Sequence, residues 1–272
     1  MEMRDKHGVL EEILNGLLKE HEDRIVLKGA FSTIENLKRV NPEVNFRLTT
    51  DIDLYMDPKN KRLERLKEIL TQVLPSGMRF EVDRHPKRKS QGKIILFWKE
   101  EPFAQIDISV GEVQGVIEIK RGDSPVYISG VEDILADKID AISREKVLRR
   151  VKDLYDVFLF ATNLKISYEK IKEKSALLPK NKTDLEREGL GKRFHELLTN
   201  KEELKQQYEK LDSMRFPSKP DFQEVYSLVT SFLKPFLDGE EVHRYKRIWN
   251  PITFEWESKD PFGLDDLEDS FQ

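Results

Sequence analysis

The chain has no cysteine, and this absence excludes several kinds of chemistry together. Disulfide scaffolds, thiolate zinc sites and cysteine nucleophiles all require that residue. Histidine is scarce as well, since the five histidines are scattered along 272 residues with no pair at metal-ligand spacing. Neither residue type therefore indicates a zinc centre.

Long hydrophobic runs are also missing. No segment approaches the roughly 18–20 consecutive apolar residues that a membrane span requires. The N-terminal residues MEMRDKHGVLEEIL are acidic and amphipathic, unlike the basic and then apolar order of a secretory signal. With 38% hydrophobic and 36% charged residues, the chain has the composition of a globular protein with room for one large or two ordinary domains. We predict a cytoplasmic protein with no membrane partner.

Positive charge is not in excess, because the formal net charge is −4. This argues against a protein that coats nucleic acid but allows local basic patches. Two segments are candidates for weak RNA contacts, and a solvated surface explains each equally well. The candidate contacts are Lys87, Arg88 and Lys89 in RHPKRKSQGK, and Arg144, Arg149 and Arg150 in SREKVLRRVKD.

The periodicity of apolar residues divides the chain near residue 130. RIVLKG and DIDLYM are predicted strands, and AFSTIENLKRV is a predicted helix. From residue 78 the period becomes two, which predicts short strands that continue a mixed or antiparallel sheet. After Gly130, VEDILADKIDAI and VLRRVKDLYDVFLFA are predicted helices. We expect an α/β domain over residues 1–130 and a helical domain over 131–272 that ends in an acidic tail.

The stretch TTDIDLYMD sets two aspartates one residue apart in a strand that otherwise looks buried. Residues i and i+2 of a strand share a face, so Asp51 and Asp53 stand together while Ile52 and Leu54 face the core. Neighbouring carboxylates repel each other unless a cation lies between them. Mg²⁺ suits this arrangement, because it binds one or two carboxylates together with substrate phosphates. A solvated strand end is the alternative.

A third strand aspartate strengthens the metal hypothesis. Asp107 lies between Ile106 and Ile108 in FAQIDISV, an apolar context in which a carboxylate is unexpected. Carboxylates that hold two metal ions and activate a hydroxyl are the equipment of phosphoryl and nucleotidyl transfer.

The segment LKGAFST offers a place for phosphate, since a glycine precedes the first turn of a predicted helix. Gly29 and Ser32 are the candidate contacts there. Arg47 and Thr49 add a cation and a hydroxyl just before Asp51. A glycine before a helix is common, so this signal alone is weak.

Lys138 is out of place in the helix VEDILADKIDAI, because it falls near the middle of the apolar stripe. Either its stem reaches to solvent or its ammonium meets an anion, such as a carboxylate or a triphosphate. On the next helix we place Asp153 and Asp156 with Arg149 and Lys152 on the side opposite the core. Surface ion pairs or a polar wall facing a cleft both fit that face.

In order, LKGA, RLTTDIDL, QIDIS, VEDILADKIDAI and RRVKDLYDVFLF resemble the nucleotidyltransferase-like toxins of the AbiEii/AbiGii family. These toxins belong to the polymerase-beta-like superfamily and act in abortive infection, a phage defence, and in type IV toxin–antitoxin systems. The resemblance covers residues 24 to about 162. It implies a nucleotidyltransferase-type mixed sheet with flanking helices, and a helical domain that contributes Lys138 and Asp156 to the cleft.

The resemblance implies roles for several residues. Asp51 and Asp53 would be Mg²⁺ or Mn²⁺ ligands, with Asp107 as a third carboxylate. Lys138 would contact the triphosphate, and Asp156 would be an essential catalytic residue. Further nucleotide contacts are expected in the first, second and last motifs, at Lys28, Gly29, Ser32, Arg47, Thr49 and Asp153. Two positions depart from the family pattern, Ala30 after Gly29 and Lys152 before Asp-Leu-Tyr-Asp.

The implied reaction transfers a nucleoside monophosphate from an NTP to an acceptor, most simply the 3′ end of tRNA, which blocks translation. A cognate antitoxin need not touch the toxin. Other acceptors, a protein or a small molecule, fit the same residues, and a catalytically silent binding protein is a further alternative. A metal-dependent nuclease is the rival class, because Asp107 with Glu118 and Lys120 in IEIK resembles a D…ExK set on paired strands.

Overall fold

A computed structural model describes most of the chain. The described residues are 3–20, 25–56, 63–83, 91–110, 115–121, 124–143, 150–177, 194–211, 215–216, 219–237 and 247–258. They form two compact units, each described by itself below. Unit 1 comprises Met1–Arg39, Glu43–Gly130 and Asp212–Ser218, and unit 2 comprises Val40–Pro42, Val131–Leu211 and Lys219–Gln272.

Unit 1 contains three helices and seven strands among its described residues. The helices are α1 (Met3–Glu20), α2 (Gly29–Val40) and α3 (Leu63–Val73). The strands are β1 (Ile25–Lys28), β2 (Asp51–Met56), β3 (Met78–Asp83), β4 (Gln91–Trp98), β5 (Glu101–Val110), β6 (Val116–Arg121) and β7 (Ser124–Ser129).

The seven strands form one mixed sheet in the order β3-β4-β5-β2-β1-β7-β6. Two pairs are parallel, β2 with β5 and β1 with β7, and the other neighbours are antiparallel. The predicted α/β class with a mixed sheet is therefore confirmed. Because β2 and β5 are parallel, residues at equal depth in DIDLYM and QIDISV lie side by side.

The alternation in β2 separates a core face from a polar face. Ile52, Leu54 and Met56 are at most 3% exposed and pack in the main hydrophobic cluster with α1 and α3. Asp51 and Asp53 alternate with them and are partly exposed. The predicted strand and its facing are both correct, since a period of two fixes which side chains are buried.

Unit 2 is built mainly from helices, as the sequence predicts. Its described helices are α4 (Val131–Ile142), α5 (Val151–Asn163), α6 (Tyr168–Leu177), α7 (His195–Thr199), α8 (Lys201–Glu209) and α9 (Phe222–Leu237). Pro235 lies inside the last turns of α9.

A small antiparallel sheet in unit 2 was not predicted. Its strands are β8 (Ile166–Ser167), β9 (Arg247–Asn250) and β10 (Glu255–Ser258), in the order β10-β9-β8. Strands of two to four residues are too short to show a clear period. Tertiary packing supports them instead: Trp249 is fully buried, donates its indole N–H to the Ala161 carbonyl at 2.7 Å and meets Phe232 edge to face.

Within the described residues, none of the helices has the length and apolar character needed to cross a bilayer.

Candidate functional site

A row of charged side chains crosses four strands of unit 1 on the polar face of the sheet. Asp53 on β2 lies directly beside Asp107 on β5. Lys28 on β1 is the partner of Asp53 on the other side, and Lys93 on β4 is the partner of Asp107. Side chains in register on neighbouring strands share a face, so the row reads Lys28, Asp53, Asp107, Lys93.

Asp51 joins the same face two residues before Asp53 and lies beside Gln105 of β5. The structure thus brings together the three strand aspartates that the sequence singled out. Adjacent strands are about 4.8 Å apart, so the carboxylates of Asp53 and Asp107 repel each other when both are ionised. Positive charge offsets such repulsion. The flanking Lys28 and Lys93 supply part of it, and a bound cation would supply more.

Gly29 has a specific reason to be glycine. It opens α2 directly after β1 with φ of +59°, a conformation that other residues adopt with strain. A Cβ built on Gly29 would lie 1.9 Å from Oδ2 of Asp53. The backbone of this turn therefore leaves the space that the Asp53 carboxylate occupies, a reason that the motif LKGA alone does not reveal.

We expect Gly29→Ala to displace Asp53 and to lower kcat/KM for the nucleotidyl transfer that the resemblance implies by about 100-fold, the scale of an ångström-sized misplacement. Gly77→Ala is the matched control, because Gly77 also has positive φ (+84°) but its added Cβ would meet nothing within 4 Å. Both substitutions share a left-handed strain of roughly 1–2 kcal/mol. Steady-state kinetics and thermal unfolding of both variants separate the two effects, and equal activity losses would contradict the role of the Asp53 contact.

Two predicted nucleotide contacts have hydroxyls that bond within unit 1. Ser32 is fully buried and donates to the Ser129 carbonyl at 2.9 Å. The Thr49 hydroxyl is 3.2 Å from the Asp51 amide and 3.3 Å from the Asp51 carbonyl, so it shapes the entry into β2. Arg47 is partly buried in the loop before that strand.

The carboxylates of Asp51 and Asp53 fit Mg²⁺ as two of its ligands. Among the residues that the structure describes, no three His, Cys, Asp or Glu side chains are arranged to hold a metal by themselves. Mg²⁺ commonly binds through one or two carboxylates, with waters and substrate phosphates completing the octahedron. The partly exposed Asp51 and Asp53 match that mode, in which the nucleotide supplies the remaining ligands.

Unit 2 contains a buried ionic cluster, which we call the lysine cluster, formed by Lys138, Asp153 and Asp156. The Lys138 ammonium of α4 donates to Oδ1 of Asp153 at 3.1 Å and to Oδ2 of Asp156 at 2.5 Å, both on α5. Their exposed fractions are only 7%, 6% and 1% respectively. The anion predicted for Lys138 is therefore a pair of carboxylates in this structure.

The expectation that Asp153 and Asp156 lie on an open polar side of α5 is wrong. Both are buried, whereas Lys152 is exposed. The reason is that α5 packs against α4, α8 and α9, so every residue from Asp153 to Ala161 is buried. Carboxylates at those positions need a buried cation, and Lys138 supplies it.

The lysine cluster carries two carboxylates against one ammonium. Oδ2 of Asp153 is buried and accepts no hydrogen bond from the residues that the structure describes, and the Arg150 guanidinium lies 3.9 Å from it. Arg150 is about half exposed. Of the residues predicted to contact RNA, Arg150 is the one that the structure describes, and Lys87, Arg88, Lys89, Arg144 and Arg149 lie outside the described residues.

The nuclease arrangement is not assembled. Asp107 lies on β5, whereas Glu118 and Lys120 lie exposed on β6, with β2, β1 and β7 between them. Four strand spacings amount to roughly 19 Å, far beyond the reach of one metal ion. The expectation that QIDIS and IEIK lie on paired strands is therefore wrong, because β6 pairs with β7 at the far edge of the sheet.

Sequence reasoning missed two polar residues of this face, Lys93 and Gln105. Gln105 donates to Asp107 and accepts from Lys93. The available signal was the period of two, since Gln105 precedes Asp107 by two residues and must share its face. The pairing of Lys93 with Asp107 depends on the register of β4 against β5. The turn residues between the two strands do not predict that register.

Comparisons with known proteins agree with this architecture. The chain matches, over residues 12–228, the family described as nucleotidyl transferase AbiEii toxin, type IV toxin–antitoxin system. No curated protein matches it in sequence. The solved structures that resemble it are distant in sequence, and the two with a TM-score of 0.50 support the fold alone.

A protein from H. pylori described as a nucleotidyltransferase is 17% identical, with a TM-score of 0.50 over 84% of this chain and 93% of its own. JHP933 from Helicobacter pylori is 18% identical, with a TM-score of 0.50 over 85% and 92%. The nucleotidyltransferase toxin MenT4 from Mycobacterium tuberculosis is 16% identical, with a TM-score of 0.47 over 88% of each chain. On the family match across most of its length, the chain belongs to the AbiEii nucleotidyl transferase toxins of type IV toxin–antitoxin systems.

Proposed function

We propose that the protein is a Mg²⁺-dependent enzyme that transfers a nucleoside monophosphate from an NTP to the 3′ end of tRNA and thereby blocks translation. The observation that carries the proposal is the pair Asp53 and Asp107, in register on neighbouring parallel strands with Asp51 on the same face. This concentration of carboxylates on one partly exposed surface has little structural use, because it adds repulsion without burying apolar area.

Asp51 and Asp53 are the proposed metal ligands. A bound Mg²⁺ would neutralise the triphosphate and polarise the α-phosphate toward attack. The missing Cβ of Gly29 leaves room for the Asp53 carboxylate at the start of α2, where backbone N–H groups and the positive helix end favour phosphate. Lys28, whose ammonium lies 4.7 Å from the centre of the Tyr55 ring, provides a further positive charge at the same edge.

Asp107 is proposed as the third carboxylate of the metal site and as the acceptor of the proton from the attacking hydroxyl. In the transfer, the 3′-oxygen of the acceptor forms a bond to the α-phosphorus, the bond to the bridging oxygen breaks, and pyrophosphate leaves. A carboxylate beside the metal ligands is suited to take the hydroxyl proton at that moment. Asp156 is the alternative for this role, and Lys138 is proposed to stabilise triphosphate charge.

The proposed contacts with the tRNA acceptor are basic side chains. Arg150 is exposed at the start of α5, where its guanidinium could contact a phosphate of the RNA backbone. Contacts between arginine and phosphate position a nucleic acid without reading its sequence. The other predicted RNA contacts are proposed to act in the same way: Lys87, Arg88, Lys89, Arg144 and Arg149. In a type IV arrangement a cognate antitoxin counteracts the toxin without needing to bind it, so no antitoxin surface is assigned.

Incubation of the protein with Mg²⁺, total RNA and each labelled NTP in turn tests the proposal directly. We expect label in a tRNA-sized band with at least one NTP, and none when Mg²⁺ is chelated. Label on a protein or a small molecule instead would replace the acceptor while keeping the reaction. RNA shortened in the absence of NTP would contradict nucleotidyl transfer as the activity.

A further inference from the structure

We propose that Lys93 and Gln105 are positioning residues that hold the carboxylate of Asp107 in one orientation. This inference rests on the proposed function, because it assigns Asp107 a role beside the metal ligands. Lys93 lies outside the motifs that carry the resemblance to the toxin family, and Gln105 opens the motif QIDIS, where the resemblance implies a role for Asp107 alone.

Lys93, Gln105 and Asp107 form a series of hydrogen bonds on the polar face of β4 and β5, in which each donor points toward Asp107. The Lys93 ammonium donates to Oε1 of Gln105 at 3.0 Å. Nε2 of Gln105 donates to Oδ2 of Asp107 at 2.8 Å. The second carboxylate oxygen, Oδ1, lies 3.9 Å from the Lys93 ammonium, within ion-pair range but too far for a hydrogen bond.

Lys93 fixes the orientation of the Gln105 amide in this series of hydrogen bonds. A lysine ammonium can only donate, so the Gln105 amide must turn its oxygen toward Lys93 and its nitrogen toward Asp107. If the amide rotated by half a turn, a donor would face the ammonium and an acceptor would face the carboxylate. Without Lys93 both amide orientations become accessible, and Asp107 loses its assured donor.

A role in stability alone accounts poorly for this arrangement. The side chains of Lys93 and Asp107 are 40% and 38% exposed, and ion pairs at such exposure contribute about 0–1 kcal/mol. The core residues of β4, such as Ile94 and Leu96, lie on the opposite face and do not depend on these contacts. These hydrogen bonds instead restrict Asp107 to one orientation beside Asp53, its register partner.

The partners of a metal-site carboxylate commonly affect metal affinity by 10–100-fold. We therefore expect Lys93→Met and Gln105→Leu each to weaken Mn²⁺ binding to the nucleotide-free protein about tenfold, measured by electron paramagnetic resonance of free Mn²⁺. In steady-state transfer, kcat should fall by a similar factor while KM for the NTP changes less than twofold. Lys93→Arg should stay within about threefold of the parent, since it keeps a donor-only cation.

Lys120→Met is the matched control, because it removes an exposed strand lysine from β6 at the far edge of the same sheet. It should leave Mn²⁺ affinity and kcat unchanged. Thermal unfolding of every variant should shift little, which excludes a general loss of structure.

The outcomes separate this inference from the proposed function. Loss of Mn²⁺ binding in Asp53→Asn, together with parent-like binding in both Lys93→Met and Gln105→Leu, would overturn the inference and leave the proposed function intact. Unaltered Mn²⁺ binding in Asp53→Asn would overturn the proposed function itself. A loss in Lys120→Met equal to that in Lys93→Met would show a bulk charge effect and would also overturn the inference.

Discussion

Asp53→Asn is expected to lower the rate of nucleotidyl transfer by about a thousandfold while leaving the protein at least as stable as the parent. The size of the loss follows from removing one metal ligand, because a metal contributes several kcal/mol of charge stabilisation and each 1.36 kcal/mol is tenfold in rate. Stability should not suffer, since Asn is nearly isosteric and removes repulsion between neighbouring carboxylates. Asp51→Asn should behave in the same way.

Labelled-nucleotide transfer and thermal unfolding of both variants check this prediction. Glu118→Gln is the matched control, because it neutralises an exposed strand carboxylate of the same sheet outside the proposed site. It should keep full activity, whereas the nuclease alternative required Glu118. Activity within threefold of the parent in a folded Asp53→Asn protein would exclude Asp53 as a metal ligand.

Lys138→Met is expected to lower the free energy of unfolding of unit 2 by about 3–5 kcal/mol. The substitution leaves two buried carboxylates without their cation, and breaking a buried ion pair from one side costs about this much. Lys174→Met is the matched control on neighbouring helices, because the contact of Lys174 with Asp133 is 3.8 Å long and its two side chains are 21% and 20% exposed. We expect that control to cost less than about 1 kcal/mol.

Denaturant unfolding followed by tryptophan fluorescence reports on the right part of the molecule. Trp249 bonds to the carbonyl of Ala161 on α5, the helix that carries Asp153 and Asp156, and Trp256 packs against Trp249. A Trp98→Phe background removes the remaining tryptophan, which lies in unit 1. Unfolding of Lys138→Met at the same denaturant concentration as the parent would contradict the buried pairing.

A triple variant separates stability from activity. Lys138→Met combined with Asp153→Asn and Asp156→Asn removes all three charges, and neutral side chains of similar size often restore the stability of a buried ionic cluster. If stability returns and transfer stays lost, the lysine cluster acts in the reaction as proposed. If both return, the lysine cluster serves the structure alone.

The sheet of unit 1 was predictable because each of its strands carries its own signal. Residues 51–56 alternate between polar and apolar side chains, and this period fixes both the strand and its core face. The small sheet of unit 2 was not predictable, since Ile166–Ser167 is too short to show a period and its pairing depends on Trp249, about eighty residues away in the chain.

By itself the sequence determined that this is an α/β protein with carboxylates on one face of β2, and its ordered motifs identified the toxin family. These features are local, because side-chain alternation and motif spacing are properties of neighbouring residues. Only the tertiary structure decided which carboxylates meet. The parallel register of β2 and β5 places Asp107 beside Asp53, the packing of α4 on α5 buries Lys138 between two aspartates, and the distance from β5 to β6 separates Asp107 from Glu118. Each of these depends on strand order or helix packing between segments far apart in the chain, which no local pattern encodes.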